Sequence, residues 1–326
     1  MSQPIFEKLH SEGLLSDDSL NKINAFDKRQ TLSVHWELRT ILYLGVLLLA
    51  SGLGVLVYKN IDSIGHLAIL IFIAALSIGG FSYCFKNKLP FSTLKVKAPN
   101  SFFDYVLLLA CLCFVIFIGY WQYQYHVFGD RFGLASFIPM VVLFFCAYFF
   151  DHLGILSLAI TNLAAWAGIA VTPTQILKAN DFNSSTIIIT GLLLGIALIA
   201  VGKLTTMRIF KPHFSFTYTN FGMNIIFISC LAGLFHFNNI FILWFFALIG
   251  IAVYFYFEAM KSKSFYFLLM LTLYTYVGLS YVIMYSLFEV MQADIGGIYL
   301  GLFYFIFSAI GLIMFLIKMN KKLRTI

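Results

Sequence analysis

The chain has 326 residues, of which 61% are hydrophobic and only 11% charged, with a mean hydropathy of +0.92 and a net charge of +7. A soluble domain carries roughly 25% charged residues, so this composition excludes a soluble enzyme, a disordered chain and a secreted disulfide scaffold. What is left is an all-α polytopic membrane protein, in which an excess of Lys and Arg marks the cytoplasmic side rather than a nucleic-acid partner.

Residues 1–38 differ from the rest, with 6 acidic and 4 basic side chains. Ile5 and Leu9 sit at helical spacing, and Gly13 suits a helix C-cap. Ser16 suits an N-cap, and Asp17 and Asp18 favour the positive end of a helix dipole. Leu20, Ile23 and Phe26 then form a second apolar stripe. The segment reads as a short cytosolic helical hairpin, too small to fold alone. Its stripe of Leu20, Ile23 and Phe26 is therefore a candidate docking face, for the membrane domain, a second copy or a cytosolic partner.

A membrane-spanning helix needs about 20 mostly apolar residues. Ten segments qualify: 39–58, 64–85, 102–120, 134–150, 153–171, 185–202, 217–235, 239–257, 265–287 and 295–317. They are expected to be helices, because backbone polar groups in lipid need partners within the segment. The domain reading is thus a cytosolic hairpin at 1–38, a ten-helix domain at 39–317 and a basic cytosolic tail at 318–326.

The junction of the fourth and fifth spans decides the topology. From Gly133 to Val171 only Asp151 and His152 interrupt the apolar run. One helix of that length would measure about 58 Å, nearly twice the hydrocarbon thickness. A tight hairpin at Asp151-His152-Leu153-Gly154 removes the conflict. With it, and with the N-terminus inside, 18 basic residues lie on the inner side and 3 on the outer. Without it the split becomes 10 to 11, which carries no orientation signal. The reading is ten helices with both termini cytoplasmic. The aromatic run Tyr120-Trp121-Gln122-Tyr123-Gln124-Tyr125 falls just past the third span, where amphipathic rings prefer the interface.

The order of a hairpin with "EGLLSDDSLNKI" and a first span "LYLGVLLLASGLGVLVYKNID" resembles a bacterial family of predicted membrane proteins known as domain of unknown function two-one-five-seven. The positions that carry the likeness are Gly13, Leu14, Gly45, Gly52, Gly54, Asn60 and Asp62. The resemblance spans the first 60 to 80 residues and the many-span architecture. It implies a bacterial inner-membrane protein and brings no activity with it.

No span carries Lys, Arg, Asp or Glu near its midpoint. Intramembrane ionisable groups mark ion and proton pathways, so a carrier that relies on a midplane carboxylate is disfavoured. Asp104, Asp151 and Glu258 sit at span ends, where water is expected to reach them. Asp151-His152 reads as a turn and helix cap. The five cysteines, Cys84, Cys111, Cys113, Cys146 and Cys230, lie in apolar runs without metal-ligand spacing. His126 and Asp130 are two groups, too few for a metal site. No catalytic, cofactor or metal motif is present.

Neutral polar residues are the candidates for a cavity lining: Asn162 in the fifth span, Asn220 and Asn224 on one face of the seventh, and Thr272, Tyr274, Tyr276 and Tyr281 in the ninth. Hydrogen bonding between helices is the structural alternative for the same side chains. Gly191, Gly195 and Gly202 in the sixth span, and Gly297, Gly301, Ser308 and Gly311 in the tenth, permit close helix approach. That approach is either within the chain or across a homodimer seam. Membrane lipids are the expected surroundings. Two functions follow: binding or translocating a neutral or lipid-like small molecule, or a non-transporting scaffold or regulator that works through the N-terminal hairpin. An intramembrane enzyme would need a titratable group paired with a base in a cleft.

Overall fold

The computed structural model describes residues 35–171, 184–290 and 295–325, together with Glu12, Ser16 and Ser19. Contacts divide the chain into two compact units, Met1–Tyr58 and Lys59–Ile326. Among the described residues there are ten long helices and no strand: α1 (His35–Ile64), α2 (His66–Asn87), α3 (Ser101–Tyr125), α4 (Phe132–Phe150), α5 (Leu153–Val171), α6 (Ser185–Met207), α7 (Ser215–His236), α8 (Phe241–Ser262), α9 (Phe265–Tyr285) and α10 (Ile295–Thr325). One helix lies at each of the ten apolar segments. Eight of them, α2 to α4 and α6 to α10, are long and apolar enough to cross a membrane. The described residues of α1 and α5 add shorter apolar stretches, Thr40–Val55 and Leu153–Gly168. This is a multi-pass membrane protein.

In the first unit, the Ser16 hydroxyl accepts from the Ser19 N–H at 3.4 Å, the geometry of an N-cap. Leu20, Ile23 and Phe26 lie outside the described residues. In α1, Ser51 donates back to the Leu47 carbonyl at 3.0 Å, so its hydroxyl is satisfied within its own helix.

In the second unit, successive helices pair: α2 with α3, α4 with α5, α6 with α7 and α8 with α9. α7 is the centre, packed on α5, α6, α8 and α9. Phe227, Cys230 and Leu234 of α7 share one core with Leu248 and Phe255 of α8 and Leu268 of α9. Met319 and Leu323 near the C-terminal end of α10 join that core.

Small residues set the tightest contact. A Cβ on Gly195 would lie 2.4 Å from Ile226 Cγ1 and 2.9 Å from the Gly222 carbonyl oxygen. One on Gly191 would lie 2.5 Å from Ser229 Oγ, and one on Gly202 3.1 Å from Thr219 Oγ1. The glycine stripe of α6 is thus consumed by α7 within the chain. A Cβ on Gly301 of α10 would lie 3.3 Å from the Met284 sulfur of α9.

The hairpin between α4 and α5 is two residues long. Asp151 takes left-handed backbone angles (φ 60, ψ 45) and its N–H closes on the Ala147 carbonyl. His152 then starts the next helix, its Nδ1 accepting from the Ile155 N–H at 3.1 Å. Gly154 leaves room for this cap, since a Cβ there would sit 3.0 Å from the His152 ring.

This turn fixes which connections share an end. Lys211 N–H donates to the Thr93 carbonyl at 2.7 Å, joining the α6–α7 connection to the α2–α3 connection. Val96 N–H donates to Asp151 Oδ2, joining the latter to the α4–α5 turn. At the other end, His66 Nδ1 meets Tyr120 Oη at 2.6 Å and Ser185 Oγ meets His236 Nε2 at 3.1 Å. The α2–α3 connection with Lys88, Lys95 and Lys97 and the α6–α7 connection with Arg208 and Lys211 therefore gather with the α4–α5 turn at one end of the bundle.

Candidate functional site

The basic end holds a buried ionic cluster. Asp151 Oδ2 lies 3.0 Å from Lys211 Nζ, and both side chains are 1% exposed. Asp151 Oδ1 lies 2.5 Å from His213 Nε2. A carboxylate only accepts, so this imidazole presents Nε2–H to it. The Val96 N–H is the third donor to the same carboxylate, at 2.5 Å. The Lys211 ammonium also stands 5.1 Å from the centre of the Phe91 ring, within cation–π range. The Lys211-Pro212-His213 turn brings both partners to one carboxylate because Lys211 takes left-handed angles and Pro212 opens a short 3-10 turn.

Asp104 and His152 form a second contact beside it, with Nε2 at 3.9 Å from Asp104 Oδ1. Both residues are buried. The expectation that water reaches Asp104 and Asp151 is corrected here. The α2–α3 and α6–α7 connections close on Asp151, and its desolvated charge is then met by Lys211. The turn-and-cap role of His152 holds, but Asp151 has an ionic role that the turn alone does not announce. Nothing local marks it: its partners lie 55 to 62 residues away. The nearest sequence signal was a lone Lys-Pro-His between two apolar spans.

Next to the cluster is a cleft lined by Lys88, Pro90, Val96, Lys97, Phe103 and Phe149, with Asp151 in its wall. Lys88 Nζ stands 4.2 Å from the centre of the Phe149 ring. Phe149 in turn packs edge-on to Phe150, with centroids 5.0 Å apart. The cleft therefore joins a basic rim to an aromatic floor.

The mid-depth polar residues are distributed over several contacts. Asn224 Nδ2 donates to the Asn220 carbonyl at 2.8 Å and to Asn220 Oδ1 at 2.9 Å. Tyr274 Oη donates across to Asn224 Oδ1 at 2.8 Å, with its ring stacked on Phe227. These three candidates meet. Tyr276 instead reaches Ser308 of α10 at 3.0 Å, and Ser280 reaches Tyr304 at 2.9 Å. Asn162 and Thr272 bond within their own helices, to the Leu158 and Leu268 carbonyls. Tyr281 packs on Phe235 with ring centroids 4.5 Å apart.

The five cysteines are all free and buried. Among the described residues no group of three or more His, Cys, Asp or Glu is placed to hold a metal ion. His126 closes α3 with left-handed backbone angles. His66 pairs with Tyr120.

Residues 7–156 match the sequence model of the family described as Predicted membrane protein (DUF2157), in agreement with the resemblance read from the hairpin and first span. The match runs through the α2–α3 connection and the Asp151–His152 turn and stops before Lys211 and His213. No curated protein and no solved structure matches the chain.

Proposed function

We propose that the protein sits in a bacterial cytoplasmic membrane with both termini in the cytoplasm, and that it binds or translocates a lipid-like small molecule. The observation that carries the ligand reading is the cleft beside Asp151, which joins the lysines of the rim to Phe103 and Phe149. An amphiphile asks for that combination, polar contacts at one end and apolar surface at the other. The orientation rests on the 18-to-3 division of basic residues and on the meeting of two of the basic connections at one end.

The test of binding is lipid retention. The full chain is purified in mild detergent, extracted, and its lipids are counted by mass spectrometry. About one lipid-like molecule kept per protein after exhaustive washing is expected; a protein stripped clean by the same washing sinks the reading. Orientation is checked with single added cysteines in intact cells, since the five native ones are buried. Lys263→Cys should resist a membrane-impermeant maleimide and Arg131→Cys should react.

A second reading, a scaffold or regulator without a ligand, is favoured by one observation: Tyr274 and Tyr276 use their hydroxyls to tie helices together. It would place the function in residues 1–38 and the stripe of Leu20, Ile23 and Phe26. Removing residues 1–30 would then abolish function in cells and leave lipid retention unchanged.

A further inference from the structure

We propose that the cleft at the basic end is a headgroup site for an anionic phospholipid, with Lys88 and Lys97 taking the phosphate and α4 carrying the acyl chain. This inference rests on the lipid-binding reading above and names the chemistry of the ligand.

The sign of the cleft follows from how its charges are used. Asp151 is the acidic residue in its wall. Its carboxylate is already engaged by Lys211, His213 and the Val96 N–H. That charge is matched by the buried ammonium, so the field in the cleft is set by the two rim lysines. Both are exposed, and among the described residues neither has a carboxylate partner. Two lysines that line one cleft attract a phosphate and repel the quaternary ammonium of a choline headgroup.

The apolar part follows from helix geometry. Phe149, Phe145 and Val141 are four residues apart in α4 and share one face. Phe145 and Val141 are 52% and 48% exposed, so the face continues away from the cleft along the outside of the bundle. Phe145 stacks on Phe149 with centroids 5.1 Å apart. A chain laid on that face leads away from Lys88, whose ammonium stands over Phe149 at the boundary. Headgroup and acyl chain thus meet the surfaces that suit each.

The site is also held in place before any ligand arrives. The α2–α3 connection that carries both lysines is pinned twice, at Thr93 by the Lys211 N–H and at Val96 by Asp151. A rim fixed in advance loses less entropy on binding than a free loop. Asp151 and Lys211 therefore act as positioning residues for the rim.

The experiment measures binding of dihexanoyl phosphatidylglycerol, dihexanoyl phosphatidylcholine and inorganic phosphate to the full chain in a neutral detergent, by native mass spectrometry and calorimetry. Phosphatidylglycerol should bind more tightly than phosphatidylcholine. Lys88→Gln with Lys97→Gln should weaken it roughly 30-fold, and either change alone roughly 5-fold. Lys95→Gln, on the same connection but outside the cleft lining, should leave it unchanged. Equal affinities for the two lipids, indifferent to the double substitution, overturn the headgroup assignment and leave the lipid-binding reading standing. Failure of both lipids overturns the two together. Lysine-dependent binding of inorganic phosphate with neither lipid bound assigns the cleft to a free anion and overturns the lipid source.

Discussion

The middle and the basic end of the bundle both sequester polar side chains, by different means. In the middle the groups are neutral. Asn162, Thr161 and Thr272 each find a carbonyl four residues back in their own helix. Tyr274 and Tyr276 reach one helix further. At the end the groups are ionic, and one carboxylate gathers donors from the α2–α3 and α6–α7 connections. A neutral group in an apolar surrounding is satisfied by one or two hydrogen bonds. A buried charge needs an opposite charge, and few residues within one helical turn supply it. The middle is therefore a set of separable contacts, and the end is a single unit that holds three connections at once.

The largest effect expected from this difference is at Lys211. Lys211→Met leaves the Asp151 carboxylate buried without its cation, a change that costs about 3–5 kcal/mol. Replacing both, Asp151→Asn with Lys211→Met, removes the charges together and should recover most of that loss, because an intact buried pair contributes little net stability over a neutral replacement. Unfolding of the full chain in detergent, graded with sodium dodecyl sulfate, reads both variants. Equal losses in the single and double variants would show that the cluster is not a coupled unit.

The same contrast explains what the sequence made legible. All ten helices fall at the apolar segments, because length and hydropathy are properties of the segment itself. The Asp151–His152 turn was legible too, since a single helix from Gly133 to Val171 would overrun the bilayer. Rotation was not legible. A helix that is apolar all round has no polar face to mark its inside. Of the residues offered together as a cavity lining, the structure joins Asn220, Asn224 and Tyr274 but sends Asn162 to Leu158 and Tyr276 to Ser308. The burial of Asp104 and Asp151 was hidden for a related reason: it depends on how connections fold over helix ends. The α6 glycines fared better, since their spacing marks one face, and the structure sets that face on α7.

A middle effect of intermediate size is expected at that glycine face. Gly195→Ala adds a Cβ 2.4 Å from Ile226 Cγ1 and 2.9 Å from a backbone oxygen that cannot rotate away. Overpacking of this kind costs about 1–3 kcal/mol. Gly250→Ala on α8 is the control, since its added Cβ meets nothing within 4 Å. It should leave unfolding unchanged or slightly delayed, because Ala favours a helix over Gly. Equal behaviour of the two variants would mean that α6 and α7 do not rely on backbone approach.

The smallest effect is expected at Tyr274. Tyr274→Phe removes the donor to Asn224 Oδ1 and keeps the ring, which lies parallel to Phe227 at 5.1 Å. Asn224 retains its bonds to Asn220. The loss should be about 0.6 kcal/mol, the average for a hydrogen bond between membrane helices, and so well below that of Lys211→Met. Read beside the lipid count, this variant also separates the two roles open to the middle of the bundle. A small loss of stability with lipid retention unchanged leaves Tyr274 as a packing contact and puts ligand recognition at the basic end. A drop in retained lipid without a drop in stability would move recognition to mid-depth, around Asn220, Asn224 and Tyr274, and the contrast between the two regions would have to be drawn the other way.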